Sequence, residues 1–238
     1  MTNGKTSVFR SFPSSFWWAN TMEIFERMGW YGFYAVSTLY ITGEVADGGL
    51  GFSSEDRGII QGIVTFFLYL FPAVFGALGD RYGFKKMFLA SFVVICPAYL
   101  LLSLPTSFWG FLGVFFFVAV GHGMFKPIVI GTIAKTTDAR TGTLGFGIFY
   151  MMVNIGGFIG PIIAGVVRGW DWKYVFYCSA CWIALNFFVC LFFYKEPPRK
   201  AEEQAKRTLK DVFDGMVKVI GNGRFFLLIS GLMVVLVM

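Results

Sequence analysis

Apolar residues along the chain fall into long unbroken runs rather than an alternating or amphipathic pattern. Six runs are long enough to cross a bilayer, which takes about 20 residues. They cover roughly 16–41, 58–79, 87–104, 108–134, 143–167 and 172–194. Residues 1–15 are polar and carry Lys5 and Arg10, so they read as a cytoplasmic N-terminus rather than a cleavable signal. Residues 195–223 form the one long polar stretch. Within it Leu209, Val212, Phe213, Met216, Val217 and Ile220 recur at helical spacing, which predicts an amphipathic helix on the inner membrane surface. Residues 224–238 are apolar to the end but too short to span, and read as a seventh helix cut short. The pattern predicts an all-α membrane protein: a six-helix bundle, a cytoplasmic linker and the start of a seventh helix.

Composition sharpens this. Of 238 residues 56% are hydrophobic and 20% aromatic, with 30 Phe, and only 14% are charged. The mean hydropathy is +0.67. A soluble fold of this size leaves too much surface in water to hide that much apolar area, so soluble enzymes and nucleic-acid binders are excluded. The net charge of +6 is a topology signal. Lys and Arg crowd the N-terminus, the turns after helices two and four, and the segment after helix six. The positive-inside rule puts those in the cytoplasm of a cell inner or plasma membrane. Cys96, Cys178, Cys181 and Cys190 lie in apolar runs and read as packing residues. No metal constellation, nucleophile–base pair or phosphate loop suggests an enzyme, and no cofactor is expected.

The informative residues are ionisable groups inside the runs, because charge there is expensive and usually functional. Glu23, Glu26 and Arg27 share one face of helix one at i, i+3, i+4. Arg27 can neutralise one carboxylate. The other then sits beside a like charge in a low dielectric, and both conditions favour binding a proton. Lys126 in helix four needs a counter-ion, for which Glu23 or Glu26 is the candidate. Pro127 beside it bends the helix. His122 one turn earlier reads either as a proton relay or as a satisfied packing residue. A static salt-bridge cluster bracing the bundle is the bland alternative. After helix two comes G-A-L-G-D-R-Y-G-F-K-K. Gly76 permits close helix approach, Asp80 and Arg81 form a charged elbow, Gly83 allows a tight turn, and Lys85 and Lys86 anchor it. In helix five Gly156, Gly157 and Gly160 form a small-residue face, and Tyr150 and Asn154 stand one turn apart.

These residues resemble a family. The elbow is similar to the loop 2–3 motif of the major facilitator superfamily. E-I-F-E-R-M-G-W-Y-G, residues 23–32, resembles the E-x-x-E-R-F-x-Y-Y-G signature of proton-dependent oligopeptide transporters. G-H-G-M-F-K-P, residues 121–127, resembles that family's helix-four lysine motif, and F-Y-M-M-V-N-I-G, residues 149–156, its helix-five motif. The resemblance covers the N-terminal half of such a carrier. It implies twelve helices in two bundles, with alternating access around a central site. It also implies proton symport of di- and tripeptides or similar solutes, with H+ as coupling ion. Carried over by position, Glu23, Glu26, Arg27 and Lys126 serve proton coupling. Tyr31, Tyr69, Tyr150 and Asn154 line the substrate pocket, Tyr69 being placed by its distance from the elbow. The expected partners are a small-molecule substrate, the lipid bilayer and the missing C-terminal six-helix half. Three positions depart from the pattern: Trp30 replaces the first Tyr of Y-Y-G, Tyr34 stands where Arg is common, and Ile128 where Asn is common. The first rival is a drug–proton antiporter of the same superfamily, for which Gly147, Gly156, Gly160, Pro161 and Gly165 loosely match a helix-five motif. The second is a half-length scaffold or inactive fragment that does not transport.

Overall fold

In a computed structural model, the structure describes residues 8–198 together with 214, 221–223 and 227. The chain divides into two units, Met1–Pro197 and Pro198–Met238, and the first holds every helix named below. The six expected positions from Leu209 to Ile220, and nearly all of 224–238, lie outside the described residues.

Six α-helices follow one another with short connections: α1 Ser14–Thr42, α2 Ser54–Tyr82, α3 Phe84–Leu101, α4 Phe108–Lys135, α5 Gly142–Arg168 and α6 Trp172–Phe192. Short polar signals start them. The Ser53 hydroxyl accepts from the Asp56 amide and the Asp56 carboxylate accepts from the Ser53 amide, a reciprocal cap that opens α2. Ser107 caps α4 through the Gly110 amide, and Asp171 caps α6 through the Lys173 amide. In the turn before α5 the Asp138 carboxyl sits below the usual carboxylate range. The Thr141 hydroxyl, then the Thr141 and Arg140 amides, donate to it.

The helices α2 to α6 are each long and apolar enough to cross a membrane. Helix α1 has the length, 29 residues, but Glu23, Glu26 and Arg27 sit in its middle. These are the intramembrane charges that the sequence places in the first run, and they keep α1 out of the set of uniformly apolar helices. The structure resolves the difference by burying α1 inside the bundle. It packs against α5 and α6 and touches α4, and 17 of its 29 residues are buried. By contrast α2 buries only Ile60, Val64 and Gly79, and α5 is similarly open. The polar-centred helix is thus shielded from lipid by its neighbours, while apolar α2 and α5 form the outer surfaces. Helix α3 closes the other side against α4 and α6.

Two backbone features make this packing possible. The α2–α3 connection is a single residue, Gly83, at φ +103°, a conformation that side chains with a Cβ rarely adopt. The α1–α5 contact depends on Gly32 and Gly160. A Cβ at Gly160 would lie 2.5 Å from the Met28 carbonyl oxygen and 2.9 Å from its Cα. Backbones that close need small residues. On its other flank α1 receives two side chains from α6. The Ser179 hydroxyl donates to the Gly29 carbonyl at 3.1 Å, and Asn186 Nδ2 to the Met22 carbonyl at 2.8 Å. Such interhelical bonds contribute about 0.6 kcal/mol each within a membrane, so close packing rather than hydrogen bonding holds α1 in place.

Gly160→Ala is expected to lower the stability of the purified protein by about 1–3 kcal/mol through overpacking. Gly165→Ala, on the same helix but facing open space, should stay within about 0.5 kcal/mol of wild type. Thermal unfolding in detergent reads both, and equal effects would disprove the close-approach account.

Candidate functional site

The core of the site is a charge cluster between α1 and α4. Helical spacing brings Glu23 and Glu26 to one face of α1, and both carboxylates are fully buried. Arg27 forks onto Glu26: Nη2 donates to Oε1 at 2.5 Å and Nε donates to Oε2. The same Nε lies 3.4 Å from Glu23 Oε1. From α4, Lys126 Nζ donates to that Glu23 oxygen at 2.5 Å. Four formal charges therefore sum to zero. Each would cost at least about 2.5–3.5 kcal/mol if left alone at the centre of a bilayer, so mutual neutralisation is the condition for burying them.

The two carboxylates are not equivalent. Glu26 has partners on both oxygens. Glu23 Oε2 is buried and has no hydrogen-bond partner among the described residues. A proton can be added there without breaking any bond. Nor are the two cations equivalent. The Arg27 side chain is 10% exposed, whereas that of Lys126 is 28% exposed and lies 4.9 Å from the Phe149 ring centroid of α5. Lys126 therefore links the buried pair to the open side of the bundle.

Two partners of this cluster were poorly marked in the sequence. His122, read there as relay or packing, is buried and places Nδ1 2.5 Å from Glu26 Oε1. Its Nε2 lies 3.0 Å from the hydroxyl of Tyr99 on α3. Tyr99 sits in an apolar run with no periodic polar neighbour, so no sequence signal distinguished it from a core aromatic. Trp30 packs edge-on against the His122 ring at 4.9 Å and stacks on Tyr34 at 5.1 Å. Two departures from the signature thus touch one another, and Trp30 links them to His122.

The expected pocket residues are less tightly gathered. Tyr31 borders the cluster, with the Arg27 guanidinium 5.5 Å from its ring, and it packs beside Gly157. Tyr150 is 61% exposed, and Asn154 Nδ2 donates to its carbonyl at 2.9 Å. Both lie on an open, mostly apolar face of α5 together with Gly147, Met151, Phe158 and Ile159. Tyr69, on α2, is 71% exposed and makes no hydrogen bond, ion pair or ring contact among the described residues. Apolar side chains dominate this α5 surface.

At one end of the bundle, the elbow after α2 is fastened from two sides. Gly76 and Gly79 face α4, where a Cβ would meet Pro127 and Ile128. Asp80 pairs with Lys135 at the end of α4 at 3.6 Å. That pair is partly exposed and contributes about 0.2–1 kcal/mol, enough to orient the elbow but not to hold the fold. Lys85 Nζ donates to the Leu191 carbonyl at 2.9 Å, and the Glu196 carboxylate accepts the Phe84 and Lys85 amides. Arg81 lies over the Tyr82 ring, and Lys86 is exposed. Among the described residues no group of three His, Cys, Asp or Glu is disposed to hold a metal ion.

Known proteins share this architecture. The Major Facilitator Superfamily profile matches residues 21–238. The peptide transporter YePEPT of Yersinia enterocolitica is 33% identical over 162 residues, covering 64% of this chain and 31% of its own length. The dipeptide and tripeptide permease A of Serratia proteamaculans is 28% identical over 188 residues, covering 75% of this chain and 36% of its own. Among solved structures, a POT family transporter in complex with a thioalcohol-conjugated peptide superimposes with a TM-score of 0.70 at 25% identity. The match covers 97% of this chain and 49% of that one. A peptide transporter POT in complex with sulfate gives 0.70 at 22% identity, over 94% and 51% of the two chains. The chain thus spans about a third of the length of the curated relatives it matches and about half that of the solved chains. It belongs to the Major Facilitator Superfamily, and its likeness to the solved POT chains extends over about half of their length.

Proposed function

We propose that this chain is the proton-coupling half of a secondary active carrier that imports di- or tripeptides or similar small solutes with H+. The observation that carries the reading is the ion pair between partly exposed Lys126 on α4 and buried Glu23 on α1, next to a Glu23 oxygen that has no partner among the described residues. An ion pair that bridges two helices and has one free proton-accepting atom is a device with two charge states. A static brace has no use for the free atom. The names of the relatives, peptide transporter and dipeptide and tripeptide permease, support a peptide-like substrate. The apolar and aromatic α5 wall suits its side chains. The N-terminus and the elbow face the cytoplasm in this reading, by the distribution of Lys and Arg.

The cycle runs as follows. With the carrier open outward, a proton enters at Glu23 Oε2. The neutral carboxyl loses most of its attraction for Lys126, whose partly exposed ammonium turns to an anionic group of the substrate. Arg27 stays on Glu26. Substrate and proton together neutralise the cavity, which lets this bundle and a second six-helix bundle rock past one another. On the inner side the proton leaves, and Lys126 returns to Glu23. The second bundle supplies the opposite wall and a partner for the substrate's amino group. The protein needs no cofactor for this cycle beyond the coupling ion, and no bond of the substrate breaks.

Glu23→Gln mimics the protonated carboxyl. In liposomes holding the full-length gene product it should abolish concentrative uptake driven by a pH gradient while exchange of substrate across the membrane continues. Concentrative uptake at wild-type levels by this variant would sink the reading. Lys126→Ala should remove the pH dependence of uptake, and a pH profile unchanged from wild type would exclude Lys126 from coupling. A carrier that expels its solute against proton entry would instead alkalinise the proton-holding compartment when the solute gradient is reversed, which separates antiport from symport.

A further inference from the structure

One buried titratable group beside the ion pairs has no part in that cycle. His122 is the single histidine of the chain, and it is 1% exposed. The titratable and charged groups facing it are Glu26 and Arg27 from α1, Tyr99 from α3 and Lys126 from the next turn of α4. Its two ring nitrogens both have partners: Nδ1 lies 2.5 Å from Glu26 Oε1 and Nε2 3.0 Å from the Tyr99 hydroxyl.

Hydrogen counting decides the state of the ring. Glu26 accepts Arg27 on both oxygens, so it is an acceptor toward His122 as well, and Nδ1 carries the hydrogen. The Tyr99 hydroxyl has no other partner among the described residues, so its hydrogen is satisfied only by a bare Nε2. A single arrangement therefore satisfies every buried atom: Tyr99 O–H to Nε2, and Nδ1–H to Glu26. The chain of bonds also has no outlet. Tyr99 is fully buried and packs edge-on against Phe33 at 6.0 Å. A proton passed to His122 would stop in the core, so the ring is not a relay.

We propose that His122, oriented by Tyr99, is a positioning residue that holds Glu26 as the fixed anionic partner of Arg27 and thereby confines proton exchange to Glu23. The functional half of this statement rests on the proton-coupling reading above; the state of the ring does not. With His122 and Arg27 both donating to it, each Glu26 oxygen has a partner, and these charge-assisted bonds favour its ionised form over uptake of the transported proton. Without His122 one donor is lost, and the two carboxylates of α1 compete for it.

Two measurements test this on the full-length gene product. The first is 15N NMR of histidine-labelled protein in lipid, with the His122 signals identified by their loss in His122→Asn. The expected result is one protonated Nδ1 and one bare Nε2 across pH 5–8. An imidazolium forming in that window overturns the proposal, whatever the transport assays give. The second is the pH profile of uptake. His122→Asn keeps an N–H donor near the position of Nδ1 and should retain the wild-type profile. His122→Leu keeps the bulk but no donor, and its midpoint should move alkaline by about one pH unit or more, because a bond to a charged acceptor is lost. Tyr99→Phe removes only the hydroxyl, and it decides the matter should the Leu variant not fold. Its midpoint should move the same way by less. A wild-type profile in both Leu and Phe variants overturns the proposal, as does loss of proton-driven accumulation in Asn and Leu alike with exchange intact, which would make His122 the carrier. If the wild-type protein shows no pH-driven uptake at all, the proton-coupling reading fails instead, and the NMR result still judges the ring.

Discussion

Everything in this bundle follows from placing four charges in a medium that does not solvate them. Glu23, Glu26, Arg27 and Lys126 occupy one region between α1 and α4. Buried charges must be paired and hydrogen-bonded, because removing one partner of such a pair typically costs about 3–5 kcal/mol. Helix α1 carries three of the four charges and so cannot face lipid. It has to be enclosed, and the arrangement of the other five helices is the means of enclosing it.

Enclosure requires close approach, and close approach selects small residues. Helix α5 comes against α1 at Gly32 and Gly160, where the backbones nearly touch. Helix α2 comes against α4 at Gly76 and Gly79. These contacts use one face of α2 and one of α5 and leave the remaining faces apolar and open. The same constraint therefore yields a sealed charge cluster and two unenclosed helices. Lys126 sits at the boundary between them, charged at its tip and part exposed, in contact with Glu23 on one side and the Phe149 ring on the other.

Within the cluster the two carboxylates differ in hydrogen bonding rather than in charge. Both carboxylates have a cation, and on charge alone they are interchangeable. Glu26 has three nitrogens of Arg27 and His122 against its two oxygens, while Glu23 keeps one oxygen without a partner among the described residues. Of the departures, Trp30 packs edge-on against the His122 ring and Tyr34 stacks on Trp30.

The sequence alone determined the all-helical class, six helices in 8–198 with limits within a few residues of those observed, and the positions of four charges inside them. That information is one-dimensional: hydropathy runs, the i, i+3, i+4 spacing of Glu23, Glu26 and Arg27, and an isolated Lys126 are all read along the chain. It also suggested that Glu23 or Glu26 would meet Lys126, because a lone charge in lipid must find its opposite. It did not say which one. Pairing across helices depends on their rotation and depth, which local spacing does not encode. Tertiary structure decided that Lys126 takes Glu23, that Arg27 takes Glu26, and that His122 belongs to Glu26. Tyr99 was invisible beforehand for the same reason: one hydroxyl among apolar neighbours has no period, and only the packing of α3 on α4 brings it to the imidazole.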